Sequence, residues 1–347
     1  MKIRNKYVNL CNLIAVLFCL SFNSSHAQGV RPVDVQTAFA NGVLACSKAV
    51  GRDVALDKLE GLEKGTISLA DPNTPALLKA SEGEKLYDVG PAKGIVVILV
   101  DNSKNCQIMA YGPRVLPSYA LVEKELLAQS DEWKKIQKET TPDDFIERYE
   151  RVESDGTYVH IFLMGGEPGM GSRMFRFPMF TADVTRFPAN YLETSTTAFT
   201  NGAVLCANAM YQGIRLDALP AEDLRDWTLL EQNKSPSQNY SRYGMAPVAE
   251  VVSMSSSSKS DCYIGGAWLD AEASLNAAIA KLTQSFPSLK EVSRRDRGKV
   301  KTILFTLKDA NQTDILFVFT LEKIGGVAAS EKRAKLSLEM QKADQQK

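Results

Sequence analysis

Histidine is almost missing from this chain: there are two in 347 residues, His26 and His160. That scarcity excludes histidine-rich transition-metal sites, and any Ser-His-Asp or Cys-His mechanism would have to run through a single imidazole. Net charge is missing as well. Lys plus Arg and Asp plus Glu both number 41, so no overall field marks nucleic acid or an anionic membrane as a partner. No Cys-x-x-Cys occurs, which removes a thioredoxin-like redox centre. No stretch after residue 27 approaches ~20 uninterrupted apolar residues, so no membrane-spanning helix is expected in the mature chain. What is present, 44 % hydrophobic and 24 % charged residues, suits water-soluble globular domains, and 347 residues suffice for more than one.

The first 27 residues read as a secretory leader. Lys2, Arg4 and Lys6 precede the apolar run Leu13 to Leu20, and Ser25-His26-Ala27 places small residues where cleavage before Gln28 needs them. Cleavage leaves 38 basic against 41 acidic residues, a net charge of −3. It also leaves one histidine, His160, and four cysteines, Cys46, Cys106, Cys206 and Cys262. The expected location is periplasmic or secreted, without a lipid anchor.

An internal repeat is visible by eye. Ala38–Leu59 aligns with Ala198–Leu219 at an offset of 160 with 9 of 22 positions identical, including Asn41-Gly42 with Asn201-Gly202 and Cys46 with Cys206. Hairpins follow in both copies: Ile95 to Val100 with Cys106 to Tyr111, and Val248 to Met254 with Cys262 to Trp268, the latter turning at Ser255–Ser258. Next, Val122, Leu126, Trp133 and Ile136 match Leu275, Ile279, Phe286 and Leu289 at an offset of 153, with the spacing of one helical face. A second hairpin closes each copy, Val159 to Met164 with Met174 to Phe180, and Thr302 to Leu307 with Ile315 to Thr320. The expected fold is α+β. It is a tandem α-β-β-α-β-β unit, each copy a four-stranded, mainly antiparallel sheet with two helices on one face. The boundaries are a leader at 1–27, repeats at 28–185 and 194–327, a linker at 186–193 and a polar tail at 328–347.

In the first helix Phe39, Val43, Cys46 and Val50 share a face, and Phe199, Ala203, Cys206 and Met210 repeat it. A buried helix cysteine followed by a strand cysteine, twice, in an exported chain points to Cys46–Cys106 and Cys206–Cys262 bridges, the pairing that respects the repeat. Loop closure over about 60 residues would make each worth ~4 kcal/mol. Gly42 and Gly202 lie on the same buried face, where the lack of a side chain admits a close helix–sheet approach.

Chemistry is scarce. Strand alternation sets His160 with Tyr158, Phe162 and Met164 on one face; its counterpart in the other copy is Thr302, so the repeat does not require a histidine there, and a structural role is expected for it. Gly165–Gly171 is rich in glycine, but no Lys-Ser/Thr follows, so it reads as a long turn instead of a phosphate loop. Glu139, Asp143, Asp144, Glu147, Glu150, Glu153 and Asp155 cluster without calcium-loop spacing and read as a solvated insertion. The matching part of the second copy is basic, with Lys290, Arg294, Arg295, Arg297, Lys299 and Lys301. The halves 28–193 and 194–347 carry 19 basic with 24 acidic and 19 basic with 17 acidic residues, so Arg294, Arg295 and Arg297 are expected to form a polar contact segment.

No catalytic residue, metal or cofactor is implied. In layout, though without a shared motif, the chain resembles bacterial exported inhibitors built from duplicated disulfide-linked α/β units. That resemblance transfers no residues. The function expected is a non-enzymatic binding or inhibitory one with a protein partner, self-association being open and nucleic acid excluded. The rivals are a carboxylate-dependent hydrolase of cell-envelope material, with Glu147 near Trp133, and a structural subunit of an envelope complex.

Overall fold

The computed structural model describes residues 32–59, 67–70, 85–92, 96–101, 105–111, 118–129, 133–140, 144–166, 179–235, 238–245, 248, 251–323 and 333–342. The leader and most of the Gly165–Gly171 run lie outside them. The fold is α+β, with antiparallel sheets. In chain order come α1 (Pro32–Gly51), β1 (Ile67–Leu69), β2 (Lys85–Val89), β3 (Val96–Asp101), β4 (Asn105–Tyr111), α2 (Ser118–Gln129), β5 (Lys134–Thr140), β6 (Asp144–Val152), β7 (Tyr158–Gly166) and β8 (Met179–Phe187). Then follow α3 (Tyr191–Gln212), β9 (Thr228–Ser235), β10 (Gln238–Gly244), β11 (Val252–Ser256), β12 (Asp261–Asp270), α4 (Ala271–Ser285), β13 (Lys290–Asp296), β14 (Val300–Lys308), β15 (Asp314–Lys323) and β16 (Arg333–Lys342).

The first sheet runs β1-β2-β3-β4-β8-β7-β6-β5 and the second β9-β10-β11-β12-β16-β15-β14-β13, the same order of corresponding strands. Register agrees too. Cys106 on β4 faces Val184 on β8, and Cys262 on β12 faces Met340 on β16, both pairs 156 residues apart. Two compact units divide the chain. One takes residues up to Trp133 with Thr140–Ile146 and Ile161–Thr185; the other takes Lys134–Glu139, Glu147–His160 and Arg186 onward.

In the first unit α1 lies on β2, β3 and β4 with Phe39, Val43, Cys46 and Val50 buried. In the second, α3 lies on β11, β12 and β16 and is flanked by α4, and the core collects Phe199, Met254, Ile264, Phe317, Phe319 and Leu338. Strict alternation builds this core: on β15 Ile315, Phe317, Phe319 and Leu321 point in, while Leu316, Val318 and Thr320 stay half-exposed. Gly202 is the point of closest approach, since a Cβ there would run into Ile264 and the Trp227 ring. At Gly42 the same atom would sit 3.2 Å from Ile108. Both disulfides form as expected, Cys46–Cys106 and Cys206–Cys262, with Cα atoms 5.8 and 5.6 Å apart, inside the normal range.

Several expectations need correction. The sheets have eight strands each where four were expected; the added ones are β1, β2, β5, β6, β9, β10, β13 and β16, and shortness at β1 or polar residues in most of the others blur the period-2 signal. The register expected to continue a helix through Trp133 and Ile136 breaks after Gln129, and Ile136 belongs to β5. In the second half, likewise, α4 stops at Ser285, before Phe286 and Leu289. Thr302, expected to be the counterpart of His160, lies on β14 between Arg295 of β13 and Thr320 of β15. The strand expected at Met174 to Phe180 begins at Met179, and residues 174–178 lie outside the described residues.

The largest correction is the polar tail. Residues 333–342 form β16, inserted between β12 and β15, with Ala334, Leu336, Leu338 and Met340 buried. Its Lys, Leu, Glu and Met content favours helix, but the apolar residues recur every second position, and that spacing decides. Lys342 at its end binds Asp309, whose other oxygen accepts the backbone N–H groups of Asn311 and Thr313 at 2.8 Å each.

Candidate functional site

The acidic segment of the first half is not a solvated insertion at Glu147 and Glu150, which are buried. Glu139 falls on β5, Asp143 lies outside the described residues, and the rest fall on β6 and the turn after it. Glu147 is 1 % exposed; it accepts the Tyr149 hydroxyl at 2.7 Å and faces Lys135 and Lys138 at 3.3 and 3.4 Å. Glu153 binds Arg151, and Asp155 binds Arg186 and the hydroxyl and N–H of Thr157. Those two contacts brace the turn between β6 and β7, with Gly156 at φ 80° supplying the left-handed residue.

Glu150 meets the lone imidazole. His160 Nε2 lies 2.9 Å from Glu150 Oε2, and the Tyr191 hydroxyl donates to the same oxygen at 3.1 Å. All three belong to the second compact unit, drawn from β6, β7 and the first turn of α3. Strand alternation does place His160 opposite Val159 and Ile161, as expected, yet it is only 2 % exposed. The rings of Phe187 and Tyr191 stand edge-on to it, centroids 4.9 and 5.5 Å away. An imidazole so enclosed can anchor strands to a helix start, and it has no open face for a substrate.

A second arrangement occurs once in each sheet. After α1 a 3-10 turn, Leu56–Lys58, holds Asp57 against Lys85 of β2 at 2.9 Å, beside buried Tyr87. After α3 the turn Leu216–Ala218 holds Asp217, bound by both Nε and Nη2 of Arg215 at 2.8 and 3.0 Å and by Ser241 of β10 at 3.2 Å, beside buried Tyr243. Hydrogen bonding to Lys85 holds the Asp57 carboxyl below its ordinary value, and Arg215 does the same for Asp217. Burial, then the neighbouring aspartate, pushes both tyrosine hydroxyls up. The sequence signal was available: Leu56-Asp57 and Leu216-Asp217 sit at the repeat offset of 160, and Tyr87 and Tyr243 are 156 apart.

Arg294, Arg295 and Arg297 fall on and just beyond β13, an outermost strand of the second sheet, and all are exposed. Arg294 pairs with Glu291 at 2.9 Å, while Arg295, Arg297 and Lys299 have no ion-pair partner among the described residues. A register shift between Glu291 and Ser293 leaves Val292 56 % exposed. Charge and a bulge are the usual means of blunting an outer strand against aggregation. The hairpin expected to turn at Ser255–Ser258 turns slightly later: Ser255 and Ser256 end β11, and the turn before β12 is fastened by Asp261, which accepts the N–H groups of Ser257 and Ser258 at 2.8 Å. Trp133, which the rival hydrolase reading sets near Glu147, is buried. Among the described residues no three His, Cys, Asp or Glu side chains gather as a metal site, and no helix is long and apolar enough to cross a membrane.

No protein-family model matches the chain, and no curated protein is similar to it in sequence. Among solved structures, the dehydratase domain from the CurK module of curacin polyketide synthase aligns at 7 % identity and a TM-score of 0.12, covering 76 % of this chain and 92 % of that one. An inactive mutant of the CurK dehydratase aligns at 5 % identity and a TM-score of 0.12, covering 70 % and 91 %. Overlap that slight carries no argument about fold or activity. The chain is α+β, its sheets are antiparallel, and its two disulfides are consistent with an oxidising compartment.

Proposed function

We propose that this chain is an exported, non-enzymatic binding protein, periplasmic or secreted, made of two copies of one disulfide-braced module joined near residues 186–193. The shared strand order supports the duplication. So do the common 156-residue offset of the central strand pair and the bridge at the same helix–strand contact in each copy. The observation that carries the binding reading is how the chemically capable groups are used: His160, Glu147 and Glu150 are enclosed and serve one another or nearby side chains. Exposed polar groups gather at the hairpin tip that follows β11, where Ser257 and Lys259 face solvent, and along β13, and these are the surfaces offered to a protein partner.

Capture from the exported fraction of the producing cell tests this. A stoichiometric partner is expected. Its association should weaken at low ionic strength when Arg294, Arg295 and Arg297 are changed together to Glu, with less difference at high salt. Unchanged association in that variant would remove β13 from the contact. Turnover of a cell-envelope polymer by the purified chain, abolished in Glu147→Gln, would replace the binding reading with the hydrolase one.

A further inference from the structure

One register row of the second sheet differs from its neighbours. Reading the pairings across all eight strands gives Arg295, Thr302, Thr320, Ser337, Gly265, Ser253, Gly244 and Thr228. After the arginine at one end, every position is a hydroxyl or a glycine. Thr302 and Thr320 alternate with the buried Ile303 and Phe319, so the row lies on the face turned away from the helices. With strands ~4.8 Å apart, it forms a shallow polar trough roughly 30 Å long, crossing the strands.

The fold does not demand this composition. The corresponding row of the first sheet reads Thr181, Met109, Val97, Asp88 and Ser68. Two glycines in the interior of a sheet also weaken it, and such residues mark places where something else approaches the backbone. At Gly265 the approaching group is Tyr263: its ring atoms lie 2.6–3.0 Å from where a Cβ would stand, so the ring leans over the glycine along the trough floor. Tyr263 is nevertheless 45 % exposed. Arg242, Glu339, Lys335 and Glu322 border the row and are exposed, and the Arg242 guanidinium lies 3.5 Å from Ser253 Oγ.

We propose that this trough binds an uncharged polysaccharide strand laid across the second sheet. Three features select that occupant. A solvent-facing aromatic ring lying on the surface offers its face to the C–H side of a sugar ring. A line of threonine and serine hydroxyls, each donor and acceptor, matches a ligand that repeats hydroxyl groups. The four exposed charges beside the row are two carboxylates, Glu322 and Glu339, one ammonium, Lys335, and one guanidinium, Arg242, so no single sign of charge favours a polyanion or a polycation, whereas neutral hydroxyls can donate to the carboxylates and accept from the cations. The row shares Arg295 with the protein contact proposed above, but Tyr263, Thr302 and Thr320 lie outside that contact, so variants at these three positions test the polysaccharide site by itself.

The test is affinity electrophoresis of the full mature chain in gels containing a neutral β-glucan, soluble chitin oligomers or a galactan, with dextran sulfate as the charged contrast. Retardation by at least one neutral polymer and none by dextran sulfate is expected. Tyr263→Ala should weaken binding about tenfold, and the double variant Thr302→Val, Thr320→Val should weaken it with unchanged thermal unfolding, because valine suits a strand. Tyr211→Ala, an exposed tyrosine on α3, should bind as the parent does. If Tyr263→Ala fails to fold, the valine pair decides. Absence of retardation by all three neutral polymers, parental binding by the Thr-to-Val chain, or preference for dextran sulfate would overturn the site. A protein captured by the exported chain in any of these cases leaves the binding reading standing.

Discussion

Ending the chain after Val327 is the sharpest perturbation available. If 328–347 were a loose tail, its loss would leave cooperative unfolding unchanged. In the structure residues 333–342 of it are β16, paired on both sides, and its removal would expose both β12 and β15. Leu336, Leu338 and Met340 are essentially fully buried. At about 1.5–3 kcal/mol for each such side chain, they contribute about 5–9 kcal/mol. That is comparable with the whole stability of an ordinary domain, about 5–15 kcal/mol. The truncated protein should therefore lose the cooperative transition of its second sheet in urea, followed by near-ultraviolet dichroism. Point substitutions refine the test by parity. Leu338→Ala should cost about 2–5 kcal/mol, whereas Lys335→Ala, on the open face of the same strand, should fall within about 0.5 kcal/mol of the parent. A truncated chain that melts like the full one, or equal costs at odd and even positions, would refute β16.

Three further outcomes follow from the same geometry. Non-reducing peptide mapping should find Cys46 joined to Cys106 and Cys206 to Cys262, and replacing the second pair by Ser should cost about 4 kcal/mol by loop closure over the 56 residues it spans. Gly202→Ala should destabilise by about 1–3 kcal/mol despite alanine's better helix propensity, because the new methyl meets Ile264 and Trp227, while Gly42→Ala, with more room, should cost less in the same melts. Burial would raise the Asp309 carboxyl, but Lys342 and the N–H groups of Thr313 and Asn311 outweigh it and hold it below the ordinary aspartate value. A carboxyl lowered in the folded state stabilises fully above its unfolded pKa, about 4, and loses that contribution as pH falls through the folded value. The difference in stability between the parent and Asp309→Asn should therefore be largest near neutrality and shrink below about pH 4.

Sequence alone determined whatever rests on local pattern and on comparing the chain with itself. Phe39, Val43 and Cys46 share a face because a helix turns every 3.6 residues, and the repeat at Cys206 made one disulfide pairing consistent with both halves. The hairpin of β11 and β12 and the close approach at Gly202 were legible for the same reason. Tertiary structure alone decided the outer strands, whose apolar residues are too few or too irregularly spaced to mark them, and the place of β16. Its neighbours β12 and β15 are distant in the chain, and no local preference reveals which strands will flank it. The fate of Glu150 and His160 was hidden likewise: whether a carboxylate meets water or an imidazole depends on what covers it, here Phe187 and Tyr191 arriving from beyond the strand. The trough of the second sheet is the clearest case, since its eight residues come from eight strands and become neighbours only when hydrogen bonding sets the register.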